Sequence, residues 1–447
     1  MSFGGAAQIA ASVAGAGVAG AVVVAAVVRA SFPKLTNPGS MPPIFAEVGA
    51  CRVRFPTGPA AQVYFPTTAT QAEAADSYAY MRPAALAAMC RTLRKPEWLF
   101  ELFGLGRAPC PCITSLKQDG LGLRPPAAGK PGGLPIILFS HGLYGHCDLH
   151  ATLGRQLAQQ GYVVVVIEHE GRAASYCRTE KGEVKTYQNP PEMSAEQAAS
   201  REGFLGFCRD FRRPILAHRE REMATIVRCL QKRVARTLRG DGDEFGAGKE
   251  DQAAFHLAQE HLDDLLNRVD IRRMVMAGHS FGGCSAIITV QSELPELKGA
   301  FKGCLLFDPW TEPLPTSALE KGLGALPTFV LLSEYWAGMP IEHAGMFELT
   351  SRLLRPNATS RAIVGALPGS KHAWVTDVPF WFPGAMGRVT KQCGAVAADE
   401  CLRKTVDASL ELLGPAVGSG VRLPDETQVG VSKHGLERLL SDCKKQE

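Results

Sequence analysis

Five residues, Gly278-His279-Ser280-Phe281-Gly282, stand between a short β-rich run, Arg272–Ala277, and a helical pattern, Cys284–Val290. A chain that passes from strand to helix in so few residues must turn so sharply that side chains next to the bend collide, and the two glycines remove them. The turn lifts the Ser280 hydroxyl off the C-terminal edge of a sheet and aims the helix N-terminus at it. Gly278 and Gly282 are therefore read as the elbow glycines. This fixes the architecture required elsewhere: the strand must lie inside a mostly parallel sheet with helices packed on its faces.

The rest of the chain meets that requirement. Cys51–Phe55 and Gln62–Phe65 read as a leading strand pair around a Thr-Gly-Pro turn. Ile136–Ser140 reads as a buried strand, Leu149–Gln160 as a helix stopped by Gly161, and Tyr162–Glu168, with four successive valines, as a central parallel strand. Met274–Ala277, Cys304–Phe307, Phe329–Leu332 and Ala362–Val364 continue the series. Between Glu168 and Met274 lies an insert, spanning about 170–270, far longer than an ordinary crossover. It holds a polar stretch, Thr179–Ala199, and a helical pattern from Pro214 to about Leu238, with Pro214 suited to a first turn and Gly240 to a stop. Such an insert forms either a lid or pocket wall, or an extra helical layer away from the site.

The 48 basic and 44 acidic residues leave a formal charge of +4, without the basic excess that nucleic-acid binding needs. No residue before Arg29 carries a charge, and Val13–Val28 consists only of Ala, Val and Gly. The stretch is long enough to cross a bilayer but poor in Leu, Ile and Phe. It reads as a membrane anchor or as an unstructured or processed leader. As an anchor, with Arg29 and Lys34 on its C-terminal side, it keeps the following domain in the cytoplasm, and most of the thirteen cysteines are then free thiols. The alternatives are a soluble cytoplasmic protein, or a secreted one if the leader is cleaved. Residues 1–43 form this segment and a Pro-rich linker, 44–415 one α/β domain, and 416–447 a C-terminal tail.

A serine hydroxyl needs a base, and in elbow-bearing sheets the order along the chain is serine, acid, histidine. Asp308 follows the strand Cys304–Phe307, and His372 follows Ala362–Val364. Asp377 and Glu334 are the rivals for the acid. An oxyanion needs two backbone N–H donors. Phe281, after the serine, supplies one; Leu143, in the loop Ser140-His141-Gly142-Leu143 after an earlier strand, supplies the other, with His141 bracing that loop. There is no zinc-protease motif, EF-hand loop or Walker motif, and Cys110-Pro-Cys112 lacks a second pair, so no metal is assigned.

Six segments taken together, Ile137-Leu-Phe-Ser-His-Gly-Leu143, Val166-Ile-Glu-His169 with Arg172, Gly278-His-Ser-Phe-Gly-Gly283, Leu306-Phe-Asp-Pro-Trp310, Ser333-Glu334 and Gly369-Ser-Lys-His372, resemble those of the platelet-activating factor acetylhydrolases. The likeness is to the plasma and intracellular type II group, calcium-independent phospholipases A2 of the α/β-hydrolase superfamily, over about Val48 to Asp377. It implies an α/β-hydrolase fold with Ser280, Asp308 and His372 as a catalytic triad and Leu143 and Phe281 as oxyanion donors, and it implies no cofactor. The implied reaction cleaves the sn-2 ester of phospholipids carrying short or oxidised acyl chains, as a 1-alkyl-2-acetylglycerophosphocholine esterase releases acetate and lyso-lipid. The partner is phospholipid at a membrane or lipid surface. Trp98, Leu99, Phe100 and Phe103 in one aromatic run, and Phe380, Trp381 and Phe382 in another, are candidates for contact with that surface, with core packing as the alternative. Two segments depart from the group's usual pattern: Pro309 stands where it has Ala, and His169-Glu-Gly-Arg172 where it has His-Arg-Asp-Arg. The competing functions are a general carboxylesterase or thioesterase on this fold, and a catalytically inactive interaction protein.

Overall fold

The computed structural model describes residues 47–69, 81–102, 112, 133–238, 258–339, 344–353, 362–381 and 393–417. The apolar segment Val13–Val28, the Pro-rich linker, Gly240, the end of the C-terminal tail and the aromatic residues Phe103 and Phe382 lie outside them. No helix among the described residues is long and apolar enough to cross a membrane.

Alternation within the apolar runs explains the architecture. Val163, Val165 and Ile167 enter one core while Val164 and Val166 enter another; Ile136 and Leu138 separate in the same way from Ile137 and Phe139. Residues two apart share a face of a strand, so runs apolar on both faces belong to a sheet covered on both sides. The strands are β1 (Glu47–Arg54), β2 (Ala60–Thr67), β3 (Leu134–Ser140), β4 (Val163–Glu168), β5 (Cys177–Arg178), β6 (Val184–Lys185), β7 (Arg236–Thr237), β8 (Val269–His279), β9 (Phe301–Phe307), β10 (Thr328–Ser333) and β11 (Ala362–Leu367). Nine form one sheet in the order β11-β10-β9-β8-β3-β4-β2-β1-β7, and β5 and β6 form a separate hairpin. From β11 to β4 neighbours run parallel; β2, β1 and β7 are antiparallel to theirs. Every expected strand is present. The valine-rich β4 is not flanked by parallel neighbours as expected: it pairs parallel with β3 but antiparallel with β2. Burial on both faces makes its sequence apolar whatever the direction of its neighbour.

The chain leaves β3 for β4 on one side and later returns to β8 on the other. Strand order reverses there, and the C-terminal ends of β3 and β8 border the crevice where open α/β sheets place ligands.

The insert departs from expectation in one respect. Its long helix is Arg201–Gln231, started by a Ser200 side chain that accepts from the Gly203 N–H, so Pro214 lies mid-helix instead of at a first turn. Proline cannot supply an N–H to the preceding turn, at a cost of about 3 kcal/mol. Burial of Ile215, Leu216, Met223, Ile226 and Val227 against the sheet offsets it. The insert is thus a helical layer, extended by β7 on the sheet edge, and it also reaches the site through Arg219. Nine cysteines among the described residues, Cys51, Cys112, Cys147, Cys177, Cys208, Cys229, Cys284, Cys304 and Cys401, are free thiols.

Candidate active site

Strand β8 ends at His279, and the next residue, Ser280, has φ 57° and ψ −122°, a conformation that side-chain-bearing residues rarely adopt. Neighbouring backbone holds it there: the Ser280 N–H donates to the Phe307 carbonyl (3.0 Å), and the Ser280 carbonyl accepts from Gly283 (2.9 Å) and Trp310 (3.0 Å). The glycines are needed at closer than contact distance. A Cβ on Gly278 would lie 2.1 Å from the Gly282 carbonyl oxygen, and one on Gly282 1.9 Å from that of Ser140. The helix Phe281–Gln291 starts directly beyond, with the Phe281 N–H in its first turn.

Asp308 follows β9 and is fully buried. Its Oδ1 accepts from the Ser333 N–H (2.6 Å), and its Oδ2 from the Ser333 hydroxyl (2.6 Å) and from His372 Nδ1 (2.9 Å). The imidazole therefore carries its Nδ1 proton toward Asp308, which makes Nε2 the nitrogen able to take one. Trp336 stacks on the His372 ring at 4.1 Å between centroids and 9° between planes, and His279 Nε2–H donates to the His372 carbonyl (2.8 Å). Burial holds the His279 imidazole well below the usual range, so it stays neutral as a brace.

Ser280 and His372 line one cavity of about 600 Å³. Gly142 and Leu143 border it too, and a Cβ on Gly142 would sit 3.1 Å from Ser280 Cβ, so the loop after β3 passes directly over the serine. The far wall is apolar: Met89, Leu93, Phe100, Leu149, Val378 and Trp381. A cavity of this size and lining suits a small or medium-sized ligand with an apolar part.

The two rivals for the acid have other duties. Asp377 caps the helix Ala151–Gln159, accepting from the N–H groups of Ala151 (2.8 Å) and Thr152 (3.0 Å), and Glu334 accepts from the Gly369 N–H. The expected surface aromatics divide. Trp98 is 62% exposed, but Phe100, Phe380 and Trp381 are buried, with Phe100 edge-on to Trp381 at 6.4 Å. These rings are drawn inward by the core beneath them, and Phe100 and Trp381 face the cavity. Leu99 lies in the helix Glu97–Leu102 beside Trp98. Trp336 and Arg219 carry no motif that singles them out in the sequence; Ser333 stands in the Ser333-Glu334 segment and at the end of β10, next to the strand that carries Asp308, but neither signal gives it a role.

A strained serine at a strand–helix elbow, a buried aspartate paired with a histidine, and a parallel sheet that changes strand order beside them define an α/β-hydrolase. A ferulic acid esterase from Streptomyces cinnamoneus has a similar fold (TM-score 0.53, 17% identity, covering 89% of this chain and 97% of that one). The chain belongs to the family described as platelet-activating factor acetylhydrolase, isoform II, whose model matches residues 59–419. It is 24% identical over 326 residues to a platelet-activating factor acetylhydrolase of Gallus gallus, covering 71% of this chain and 67% of that protein. To a putative phospholipase A2 of Schizosaccharomyces pombe it is 24% identical over 352 residues, covering 71% and 74%. The matched part spans 58% of the guinea-pig (Cavia porcellus) platelet-activating factor acetylhydrolase, at 23% identity over 64% of this chain.

Proposed function

We propose that this chain is a serine esterase acting on the sn-2 ester of phospholipids whose acyl chain is short or oxidised, with Ser280, His372 and Asp308 as its triad. One observation carries the reading: a buried Asp308 fixes the proton of His372 at Nδ1, 2.9 Å away, on the cavity that Ser280 also lines. Ser280 Oγ attacks the ester carbonyl carbon while its proton passes to His372 Nε2. The carbonyl oxygen, now an anion, is received by the N–H groups of Leu143 and Phe281. The sn-2 oxygen leaves as the lyso-lipid alcohol with the proton from His372. Water, deprotonated by the same nitrogen, then frees the acyl group from Ser280 as a carboxylic acid. Asp308, bonded twice by Ser333, orients the ring and stabilises the imidazolium.

The apolar wall of Phe100, Leu149 and Trp381 suits an acyl chain, and the names of the relatives support a phospholipid as its carrier. Leu93 lines the cavity and is 46% exposed, and Trp98 is exposed on the helix that sends Phe100 inward; together they suit a lipid surface at the entrance. The test is hydrolysis of phosphatidylcholines that differ only at sn-2. Acetyl and other short chains should be cleaved, and long unoxidised chains should resist. Cleavage of simple soluble esters or thioesters with short-chain phosphatidylcholines left intact would assign a general carboxylesterase or thioesterase. Failure of the folded protein to react with a fluorophosphonate at Ser280 would point to an inactive interaction protein.

A further inference from the structure

Arg219, on the insert helix Arg201–Gln231, is the largest fully buried side chain in the protein's described residues. Removing a guanidinium from water is costly unless it is well bonded. Its bonds converge on one nitrogen: Nη1 donates to the His141 carbonyl (2.8 Å), the Ser140 hydroxyl (3.3 Å) and the Ser285 hydroxyl (3.3 Å), whereas Nε and Nη2 have no hydrogen-bond partner among the described residues. Its plane covers the Phe281 ring at 4.8 Å. A group kept at that cost touches both places from which the oxyanion donors come.

The geometry points to Arg219 as the positioning residue of the oxyanion site, holding the loop of Leu143 and the helix start at Phe281 in one fixed relation. This rests on the esterase reading above. On the Leu143 side, Arg219 fixes the His141 carbonyl. The His141 ring, through Nδ1–H, then holds the Gly142 carbonyl (2.8 Å). The peptide between Gly142 and Leu143 is planar and trans, so an anchored Gly142 carbonyl sends the Leu143 N–H the opposite way. On the Phe281 side, Arg219 packs on the ring and bonds Ser285, whose hydroxyl donates to the Phe281 carbonyl (3.0 Å).

A one-way chain of hydrogen bonds locks Arg219 itself. Arg219 donates to Ser140, Ser140 to His169 Nε2 (2.8 Å), and His169 Nδ1–H to Glu222 (2.6 Å), one turn further along the same helix. Glu222 also accepts from the Glu170 N–H (2.7 Å). Ser140, His169 and Glu222 repeat the residue types of a triad, but Ser140 and His169 are fully buried and Glu222 nearly so, and none of the three borders the cavity. They brace and do not cleave. The insert that separates β4 from β8 thereby acquires a role, because its helix ties the ends of β3, β4 and the elbow together.

The test compares Arg219→Met and Arg219→Lys with wild type. Short-chain sn-2 phosphatidylcholine is the substrate, a phospholipid-like trifluoromethyl ketone is the probe of oxyanion binding, and rates are normalised to Ser280 titrated by fluorophosphonate at completion. Losing one oxyanion donor outright costs about 100- to 1000-fold in kcat. Misaligning the donors by Arg219→Met should cost about 10- to 100-fold, with KM changed by less than about twofold and ketone affinity falling in parallel with kcat. Arg219→Lys should recover part of both. Should the Met variant not fold, the Lys variant decides, with kcat and ketone affinity expected to fall together by at least about threefold at constant KM. A merely structural role would lower the melting temperature and leave kcat per titrated serine and ketone affinity unchanged, and that result overturns the proposal. Wild-type protein that neither turns over ester nor labels at Ser280 removes the esterase reading instead.

Discussion

Asp308 is bonded by three donors, and only one of them is the histidine. Ser333 supplies the other two, from its N–H and its hydroxyl, both at 2.6 Å. Asp308→Asn should lower kcat by about 10⁴-fold with little change in fold, because an amide admits the wrong imidazole tautomer. Ser333→Ala keeps the N–H and loses one charge-assisted bond, so a much smaller loss is expected; steady-state kinetics on both variants test the ranking. Asp377 differs in electrostatics as well as duty. Burial pushes its carboxyl up to about 6 from 3.8, although two backbone N–H groups favour the charged form. The folded protein therefore holds this proton more tightly than the unfolded chain does. The stabilisation is complete below about pH 4 and is lost as pH rises through about 6. Asp377→Asn removes the titration, so the variant should gain on wild type by up to about 3 kcal/mol between pH 4 and pH 7, read from urea midpoints at each pH. A constant difference across that range would exclude the linkage. The proposed triad is legible in the sequence because each member follows a strand in a fixed order. Ser333 and Trp336 are not, since their roles come from the adjacency of β9, β10 and the segment after β11, which no local pattern encodes.

Elements far apart in sequence are pinned by buried charge. Arg52 on β1 bonds Asp148 (2.9 Å) and Glu168 (2.8 Å), and Arg82, just before the helix Pro83–Thr92, bonds the same two carboxylates. Two cations and two anions cancel, and the cluster joins a cavity-wall helix to β1, to the end of β4 and to the turn beyond the loop of Leu143. Taking one member from such a set leaves a buried charge without its counterion, which costs about 3–5 kcal/mol. Arg82→Met should show that loss in urea unfolding, and Arg82→Lys should restore it only in part, since an ammonium cannot reproduce the planar fork. A loss below about 1 kcal/mol would mean that Arg52 alone neutralises both acids. The insert teaches the matching lesson about sequence. Pro214 reads as a helix start because local rules place proline there, but the helix extends 13 residues upstream of it, from Arg201. Packing against the sheet outweighs the local preference, and the two charges that matter most on that helix, Arg219 and Glu222, resemble surface charge when seen without their partners.

At the scale of the molecule, the apolar runs that make the strands are readable from alternation and length, whereas the spatial order of the strands comes from the structure. What is not readable is which of the aromatic residues face solvent. Trp98 and Phe100 are two residues apart in one short helix, yet Phe100 is buried on the cavity wall and Trp98 is 62% exposed. A short hydrophobic segment shows no period that separates those fates. Under the proposed function, Phe100 and Trp381 receive the acyl chain, while Trp98 and Leu93 meet the surface that delivers it. The two roles come apart when the same ester is offered in two physical states. Trp98→Ala should leave kcat/KM unchanged on a short-chain phosphatidylcholine dissolved as monomers, because the cavity is intact. On the same lipid carried in vesicles the apparent KM should rise several-fold, and sedimentation with those vesicles should weaken, consistent with the roughly 1.5–3 kcal/mol gained by burying a large apolar side chain. Phe100→Ala should do the reverse, lowering kcat/KM on the monomeric ester because the acyl chain no longer packs on a ring, with vesicle binding retained. If Trp98→Ala impairs both substrate states equally, its ring belongs to the cavity wall and the docking surface lies elsewhere.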